Sequence, residues 1–360
     1  MARVDVMMPA YNAAATLREA VDSVRAQTMA DLRIVIVNDG STDETPAIAA
    51  ALAAEDARVH VVTQSNRGIV EARNAALAAC DAEFVAVLDA DDLSYPARLE
   101  HQLAYLAAHP ACVAVGGEVD HMDETGAALG GLPQPGPPSG ADPAKAPAME
   151  PYIVHSTLLV RRADIVAVGG YRHVPNSEDS DLFWRLQERG ALHILPERVG
   201  KYRVHVASTS SEIVSGRVMA VGSQLGALST LRRRAGRADI RFAFEMLAAL
   251  KQAATLEAMC ALASHDLTQD EREHLRMAAG TKFMELARYR PYELEVSDCV
   301  FIRAALPFAR RLTLQNQKEV RWYVTVTAAR LVRKGKLREA MLLTPAKDIP
   351  VAAARVLMAR

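Results

Sequence analysis

Short apolar runs alternate with helix-forming segments through the first third of this 360-residue chain, and this alternation restricts the fold more than any other feature. The predicted strands are residues 4–8, 33–37, 59–63, 84–88 and 112–115. The helices predicted between them are residues 14–27, 41–54, 68–79 and 96–108. Strands that alternate with helices favour right-handed βαβ units and a mostly parallel sheet. In such sheets, ligands bind beyond the carboxyl ends of the strands.

Polar motifs follow three of these strands, so we expect them to meet at one edge of the sheet. They are Pro9-Ala10-Tyr11-Asn12, Asn38-Asp39-Gly40-Ser41 and Asp89-Ala90-Asp91-Asp92. The third motif follows an apolar run, and buried carboxylates are costly unless they are paired or bound to a cation. Carboxylate oxygens suit Mg²⁺ or Mn²⁺, which also bind substrate phosphates. The motif therefore predicts a site for a metal and a phosphorylated substrate, and a solvated turn is the alternative.

Asp39, at the end of a strand, and Arg73, in a later predicted helix, have chemistry suited to a nucleotide. Asp39 can accept a hydrogen bond from the imide N–H of a base such as uracil, and Gly40 allows a close backbone approach. A plain helix N-cap is the alternative for this motif. Arg73, in the helix that opens near Gly68, can reach a base or a phosphate, or it can be a surface arginine.

Acidic residues gather where a helix is predicted at residues 181–189. Glu178, Asp179 and Asp181 lie at its start, where the helix dipole favours anions and keeps a carboxylate ready to accept a proton. Helix capping explains one of these acids but does not require all three. His205 follows a predicted strand at 199–206, and it is either a partner of the metal or phosphate or a hydrogen-bonded structural residue.

The second half of the chain changes character. Residues 130–151 are rich in proline and glycine, which predicts a disordered surface loop or a mobile flap near a site. Residues 153–161 form a predicted strand. Predicted amphipathic helices follow at residues 225–234, 240–260, 270–288 and 320–334. We therefore expect an α/β domain at residues 1–210 and a helical domain at residues 211–360.

Composition excludes several classes of protein. A net charge of −1 gives no reason to expect nucleic-acid binding, and four distant cysteines without a CxxC pair indicate neither a zinc knuckle nor a disulfide framework. The first residues do not resemble a secretory signal, and no apolar window is long enough to span a membrane. We expect a cytoplasmic protein. The basic segment 318–360 predicts either a solvated helical hairpin or a peripheral contact with the inner membrane face.

The motifs occur in an order that resembles the family-2 glycosyltransferases of the GT-A fold. Beyond the three strand-end motifs, the resemblance rests on Asn66-x-Gly68, Ala72-Arg73-Asn74, Gly169-Gly170-Tyr171 and Glu178-Asp179-x-Asp181-Leu182-x-x-Arg185. It spans residues 3–210 and implies a GT-A fold, a Rossmann-like and mostly parallel sheet flanked by helices. The helices after residue 211 lie outside it. The family often has two acids before Gly40, and here Asn38 replaces the first of them.

The resemblance implies a role for each matching residue. Those implied to bind the nucleotide sugar are Pro9, Ala10, Tyr11, Asn12, Asp39, Asn66, Gly68, Arg73, Asp89 and Ala90. Those implied to bind Mn²⁺ or Mg²⁺ are Asp91, Asp89 and His205, with Asp92 left as a turn or capping residue. Those implied on the acceptor side are His155, Gly170, Tyr171 and Glu178. Asp179 is the implied general base.

The implied reaction moves a sugar, with inversion, from a nucleoside-diphosphate sugar to a hydroxyl acceptor. A UDP-sugar is the expected donor. A glycan or lipid-linked molecule is the expected acceptor, in the synthesis of polysaccharide, cell-envelope glycan or glycoconjugate. The helical region is expected to serve oligomerisation or contacts with the acceptor or membrane.

Three other functions are alternatives to this one. A Rossmann oxidoreductase requires GxGxxG after the first strand, and residues 9–12 contain no glycine. A nucleotidyltransferase shares the metal and nucleotide chemistry but usually has a basic, glycine-rich loop there. An inactive nucleotide-sugar-binding or scaffold protein stays open as the non-enzymatic alternative, although Asp39, Asp91 and Asp179 argue against it.

Overall fold

A computed structural model describes residues 2–130, 134, 136–205 and 212–358. The strands are β1 (Val4–Ala10), β2 (Leu32–Asp39), β3 (Val59–Gln64), β4 (Phe84–Val87), β5 (Leu93–Ser94), β6 (Cys112–Met122), β7 (Ala128–Leu129), β8 (Leu159–Arg161) and β9 (Ala191–Arg203). The first helices are α1 (Leu17–Arg25), α2 (Thr45–Glu55), α3 (Ile69–Ala79), α4 (Arg98–Ala108), α5 (Arg162–Ala167) and α6 (Glu178–Gln187). The later helices are α7 (Ile213–Arg234), α8 (Met246–Gln252), α9 (Leu256–Leu262), α10 (Gln269–Leu286), α11 (Val296–Ala305), α12 (Leu314–Arg333), α13 (Leu337–Leu343) and α14 (Ile349–Met358).

The strands form one mixed sheet in the order β3-β2-β1-β4-β8-β6-β9-β5, with β7 paired to β6. Strands β3, β2, β1 and β4 are parallel, as the alternation predicts, and β6 is parallel to β9. Strands β5, β7 and β8 pair antiparallel, so the sheet is less uniformly parallel than expected. Because β2, β1 and β4 are parallel neighbours, the three predicted strand-end motifs follow the same edge of the sheet.

The chain divides by its contacts into two compact units. The α/β unit contains residues 1–140, 151–172 and 182–206. The helical unit contains residues 141–150, 173–181 and 207–360. The boundary expected near residue 211 lies outside the described residues, as do Val206 at the end of the predicted strand and two prolines of the proline-rich segment, Pro133 and Pro135. The two-domain division at 210 and 211 stays a prediction.

Apolar side chains cover both faces of the sheet in the α/β unit. One face packs against α1, α2 and α4 through residues such as Leu17, Leu52 and Leu103. The other packs against α3, α5 and α6 through residues such as Val70, Ile165 and Phe183. Coverage on both faces explains why β1, β2 and β4 read as largely apolar runs rather than as alternating patterns.

Strand β6 extends seven residues beyond the predicted end at residue 115, through Gly116 and Gly117. A Cβ on Gly116 would lie 2.2 Å from a methyl carbon of Ile153, and a Cβ on Gly117 would lie 2.5 Å from one of Val199. The glycines therefore permit close packing inside a strand, although in sequence they read as a strand end. The strand predicted at 153–161 is wrong in its first half, where a 3₁₀ turn at His155–Thr157 precedes β8.

A buried ion pair anchors the start of β1. The carboxylate of Asp5 accepts two hydrogen bonds of 2.8 Å from Arg33 and two more from the backbone N–H groups of Asp81 and Ala82. Burial alone would raise the pKa of Asp5, but these hydrogen bonds hold it below the ordinary value. The ionised carboxylate therefore stabilises the folded state above pH 3.8, the ordinary value, and this contribution is lost as the pH falls through the depressed pKa.

We expect Asp5→Asn to lower the free energy of unfolding at pH 7 by about 1.5–3 kcal/mol, the range for hydrogen bonds to charged groups. The variant should also lose less stability than the parent between pH 4 and pH 2, because its group no longer titrates. Urea unfolding across this pH range measures both effects. Asp31→Asn, which changes an exposed carboxylate of the same unit, serves as the control. If Asp5→Asn loses as much free energy of unfolding between pH 4 and pH 2 as the parent does, this assignment is wrong.

The helical unit has its own apolar core, crossed by a buried ion pair. Arg217 in α7 donates two hydrogen bonds of 2.8 Å to Asp298, and its Nη2 also pairs with Glu295. The predicted helix at 240–260 is wrong as a single helix, because α8 ends at Gln252 and the Thr255 hydroxyl caps α9. Helices α11 and α14 lie outside the predicted helices.

Residues 141–150 of the proline-rich segment make specific contacts within the helical unit. The backbone N–H and C=O of Ala146 both bond to the amide of Asn316, and the N–H of Ala148 donates to Gln224. Glu150 accepts hydrogen bonds from the hydroxyl groups of Ser180 and Ser223. The prediction of a disordered surface loop is therefore wrong for this part of the segment.

The basic C-terminal segment carries several ion pairs within the helical unit. Arg321 pairs with Asp348, and Arg330 and Lys334 both pair with Glu293. Helix α13 follows α12 after a short turn, in agreement with the predicted hairpin. In the part of the chain that the structure describes, no helix combines the length and apolar character needed to cross a bilayer. A peripheral membrane contact and oligomerisation through this unit stay predictions.

Candidate functional site

The loop after β1 forms two hydrogen bonds with the loop after β2. The N–H of Asn12 donates to the Ser41 hydroxyl, and the N–H of Thr42 donates to the Asn12 side-chain oxygen, at 3.0 and 2.9 Å. Asn12 adopts a φ of 50°, a conformation that asparagine tolerates better than most residues. The Tyr11 side chain is 52% exposed beside this junction. Two predicted nucleotide-binding motifs are therefore joined, while the predicted residues Pro9 and Ala10 are buried in β1.

Asp39 ends β2 with its side chain almost completely buried. It accepts hydrogen bonds from the Gln64 amide and from the backbone N–H groups of Arg67 and Gly68, at 2.7–2.9 Å. A carboxylate can accept about four hydrogen bonds, so capacity remains for one more donor. Gly40 is required at the next position, because its φ is 69° and a Cβ would lie 2.5 Å from the Asn66 nitrogen.

Arg73 connects the middle of α3 to the loop after β4. Its guanidinium lies 3.6 Å from a carboxylate oxygen of Asp89 and 5.5 Å from the centre of the Tyr171 ring. The Tyr171 hydroxyl and Nε2 of His155 lie 2.9 Å apart. Burial, together with the charge of Arg73, lowers the pKa of His155 well below its ordinary value, so His155 is neutral at pH 7.

Asn74 holds the Gly169-Gly170-Tyr171 motif against α3. Its amide donates to the Tyr171 carbonyl and accepts from the Tyr171 N–H, both at 2.9 Å. Gly170 has a φ of 65°, and a Cβ there would lie 2.7 Å from the Asn74 oxygen. Arg185 donates to the carbonyls of Val168 and Gly170. The predicted acceptor-side residues Gly170, Tyr171 and His155 thus form one buried network, and their contact with an acceptor stays a prediction.

Asp91 and His205 lie together at the carboxyl end of β4. Asp91 Oδ2 and His205 Nε2 are 2.8 Å apart, and both side chains are partly exposed. Across residues 2–130, 134, 136–205 and 212–358, no three His, Cys, Asp or Glu side chains converge as a metal cluster. Asp89, a third predicted metal residue, contacts Arg73 and the Ser156 hydroxyl instead. The protein therefore supplies two facing groups of metal-ligand type.

Asp92 is a buried link rather than only a turn or capping residue. One of its oxygens bonds to the Ser156 hydroxyl and the other accepts from the backbone N–H of Arg203, in β9. Burial and the nearby charges of Asp89 and Asp91 raise its pKa well above the ordinary value. Arg203 also donates to the Asp91 carbonyl, so these contacts fix the path of the chain just before His205.

Glu178 and Asp179 open α6 and belong to the helical unit. Asp179 Oδ1 accepts a 2.7 Å hydrogen bond from the N–H of Ser180. The helix begins at Glu178, three residues before the predicted start, so these acids lie in its first turn as capping and dipole arguments require. Asp179 is partly buried and Asp181 is fully buried.

Sequence comparison identifies relatives with known names. Residues 5–164 match the family described as Glycosyl transferase family 2. The "Putative glycosyltransferase EpsE" of Bacillus subtilis is 31% identical over 197 residues, which are 52% of this chain and 68% of that protein. The amylovoran biosynthesis glycosyltransferase AmsE of Erwinia amylovora is 32% identical over 176 residues, 48% of this chain and 65% of its own length.

Solved structures agree with the fold across almost the whole chain. The mannosyltransferase PcManGT from Pyrobaculum calidifontis, in complex with GDP-Man and Mn²⁺, has a TM-score of 0.51 at 18% identity and covers 99% of this chain and 87% of its own. S. aureus TarS 1-349 in complex with UDP-GlcNAc has a TM-score of 0.51 at 17% identity, with coverage of 93% and 92%. These likenesses support the GT-A fold followed by helices. The chain belongs to glycosyltransferase family 2 and is a glycosyltransferase.

Proposed function

We propose that this enzyme moves a sugar from a nucleoside-diphosphate sugar to a hydroxyl of a growing glycan, with inversion at C1 and with a divalent cation bound. The facing side chains of Asp91 and His205, 2.8 Å apart beside the strand-end motifs, carry this proposal. The name of AmsE, which refers to amylovoran biosynthesis, supports a role in polysaccharide synthesis.

The donor set fits Mn²⁺ or Mg²⁺. A carboxylate oxygen suits both ions, an imidazole nitrogen suits Mn²⁺ better than Mg²⁺, and a site with few protein ligands suits a cation that also binds substrate phosphates. Asp91 and His205 would hold the ion, with Asp89 on the ribose side. When bound, the ion supplies positive charge to the diphosphate oxygens. The PcManGT complex, whose title includes Mn²⁺, supports this assignment.

The remaining strand-end residues bind and orient the nucleotide. Asp39 accepts a hydrogen bond from the imide N–H of the base. Its carboxylate accepts three hydrogen bonds within the protein and can accept about one more. Exposed Tyr11 offers a ring face to the base, and Arg73 offers positive charge near Asp89. We propose a UDP-sugar as donor, because uracil has such an imide.

Asp179 accepts the proton of the acceptor hydroxyl. The acceptor oxygen forms a bond to C1 from the face opposite the diphosphate, the C1–O bond to the diphosphate breaks, and the configuration at C1 inverts. The electron pair of the broken bond leaves with the nucleoside diphosphate. The first-turn position of Asp179 favours its ionised form, which a general base requires.

A donor panel tests this proposal. UDP-, GDP- and dTDP-sugars are incubated with the protein and Mn²⁺, and release of the nucleoside diphosphate is measured with and without EDTA. We expect release from the UDP-sugar that EDTA abolishes. Binding without release from any donor would favour the inactive scaffold instead, and equal release in EDTA would overturn the metal requirement.

A further inference from the structure

The helical unit contains a cavity of about 470 Å³ that no step of the proposed reaction uses. Its walls come from residues 145–149, α10 and α12. This volume lies within the range of roughly 300–1,000 Å³ found for small-molecule sites. The residues that give it chemical character are Glu285, Gln315, Lys318, Glu319, Trp322 and Tyr323.

An aromatic surface in this cavity is held in a fixed position. The guanidinium of Arg288 lies 4.6 Å from the centre of the Trp322 ring, and the Tyr323 ring meets Trp322 edge-on at 5.1 Å. The Tyr323 hydroxyl donates to a Glu285 oxygen at 3.1 Å, which fixes the second ring. Rings held in this way offer apolar area without a further cost in side-chain entropy.

Polar groups of both charges surround the aromatic rings. Glu285 and Glu319 offer acceptors, Lys318 offers donors, and the amide of Gln315 offers both. Lys145, also in the wall, pairs with Glu319 at 3.6 Å, so positive and negative charge largely cancel there. A strongly anionic ligand would meet two carboxylates, and an acyl chain would meet several charged groups. A neutral ligand with many hydroxyl groups and apolar C–H faces can contact both the aromatic rings and the polar side chains of the cavity.

We propose that this cavity binds sugar residues of the acceptor glycan at a distance from the residue that is being extended. The proposal rests on the function proposed above, since it assigns the cavity to the acceptor of that reaction. The pyranose C–H face packs on Trp322, and the sugar hydroxyls bond to Gln315 and Glu319.

A second observation connects the cavity to the proposed base. Glu285, in the cavity wall, pairs with Lys282 at 2.8 Å, and Lys282 pairs with Glu150 at 3.0 Å. Glu150 accepts a 2.5 Å hydrogen bond from the hydroxyl of Ser180, whose N–H donates to Asp179. Burial opposes the charge of Glu150, but Lys282 holds its pKa below the ordinary value, so the chain stays charged and paired.

This partly buried chain of ion pairs and hydrogen bonds lies entirely within the helical unit. The same charged residues therefore fix the cavity wall and the first turn of α6. A glycan that binds in the cavity therefore contacts the same network of ion pairs and hydrogen bonds as the carboxylate proposed to accept its proton. Such a network provides the fixed geometry that a positioned base needs.

Isothermal titration calorimetry of the full chain tests the site, with chitotetraose, cellotetraose and maltotetraose as neutral probes. We expect saturable binding of at least one probe, weakened about tenfold or more by Trp322→Ala and about fivefold to tenfold by Gln315→Ala, the effect of one or two hydrogen bonds. Gln315 is exposed, so its variant folds even if Trp322→Ala does not. Leu314→Ala, which changes the adjacent exposed residue outside the cavity, should bind like the parent.

Release of nucleoside diphosphate in the absence of acceptor is measured on the same proteins. We expect this donor hydrolysis to be unchanged in Gln315→Ala, while the apparent KM for a glycan acceptor rises about as much as the binding constant. If no neutral probe binds, or if inorganic phosphate or phosphatidylglycerol vesicles bind there instead, the cavity assignment is wrong even when donor hydrolysis is intact. If donor hydrolysis is absent but the probes bind, the proposed function fails and the glycan site stands.

Discussion

Asp179→Asn should reduce sugar transfer by about 10²–10⁴-fold while leaving nucleotide binding near the parental value. The loss corresponds to the typical contribution of a positioned general base. The asparagine oxygen can still accept the hydrogen bond from the N–H of Ser180, so the first turn of α6 keeps its conformation. An amide cannot take up the proton of the acceptor hydroxyl at neutral pH. Because asparagine and aspartate have nearly the same shape, the variant tests proton transfer alone.

Two measurements distinguish the outcomes for this variant. Product formation is followed with saturating donor and acceptor, and calorimetry with UDP and Mn²⁺ reports nucleotide binding. Glu188→Gln, which removes an exposed acid just after α6, is the matched control and should transfer sugar like the parent. Transfer by Asp179→Asn at close to the parental rate would remove Asp179 from the mechanism.

Asp91→Ala should weaken nucleotide binding in the presence of Mn²⁺ by at least about 10–100-fold, the loss found when even the outer partners of a metal ligand are removed. Binding measured in EDTA should change little, because the carboxylate then contributes no attraction for the diphosphate. The reason lies in its position, since Asp91 is the carboxylate that faces His205 at 2.8 Å.

Calorimetric titration of UDP with and without Mn²⁺ measures this effect. Asp22→Ala removes an exposed carboxylate of α1 in the same unit and should leave both titrations unchanged. If Asp91→Ala binds UDP in the presence of Mn²⁺ with the parental affinity, the assignment of Asp91 as a metal ligand is wrong. A parallel loss in His205→Ala would identify the second ligand.

The first half of the sheet could be predicted because local patterns coincide with the fold there. Strands β1, β2, β3 and β4 lie within two residues of their predicted ends. Burial on both faces makes β1, β2 and β4 largely apolar runs. Residues 153–161 are apolar on both sides of His155-Ser156-Thr157, and the chain turns at these three polar residues before it pairs with β4. That turn depends on tertiary contacts, which local sequence does not encode.

The helical unit was harder to predict for a related reason. Residues 240–260 are rich in good helix formers, yet the backbone breaks after Gln252, where Thr255 caps a new helix. A threonine within an apolar periodic segment does not by itself signal a new helix. Helices α11 and α13 are short, and they contribute Phe301, Ile302 and Leu343 to the apolar core, so packing stabilises them.

In the candidate site, the sequence predicts the charged residues but not most of the groups that form hydrogen bonds with them. The pairing of Asp91 with His205 joins residues 114 positions apart and was anticipated as a shared metal role. Ser156 and Arg203, which hold Asp92, were not predicted, because a lone serine and a strand arginine carry no motif. Asn74 was within a quoted motif, and only the structure reveals that it binds the backbone of Tyr171.

The interleaving of the two units along the chain limits how modular this enzyme is. Residues 141–150 and 173–181 come from the first 210 residues, yet their contacts are with the helices. A fragment that stops at residue 210 would leave Glu150 without Lys282 and the backbone of Ala146 without Asn316. Recombination or gene fusion at residue 210 would therefore produce a protein in which these contacts are missing. The helical unit therefore keeps its internal contacts only together with those two short segments.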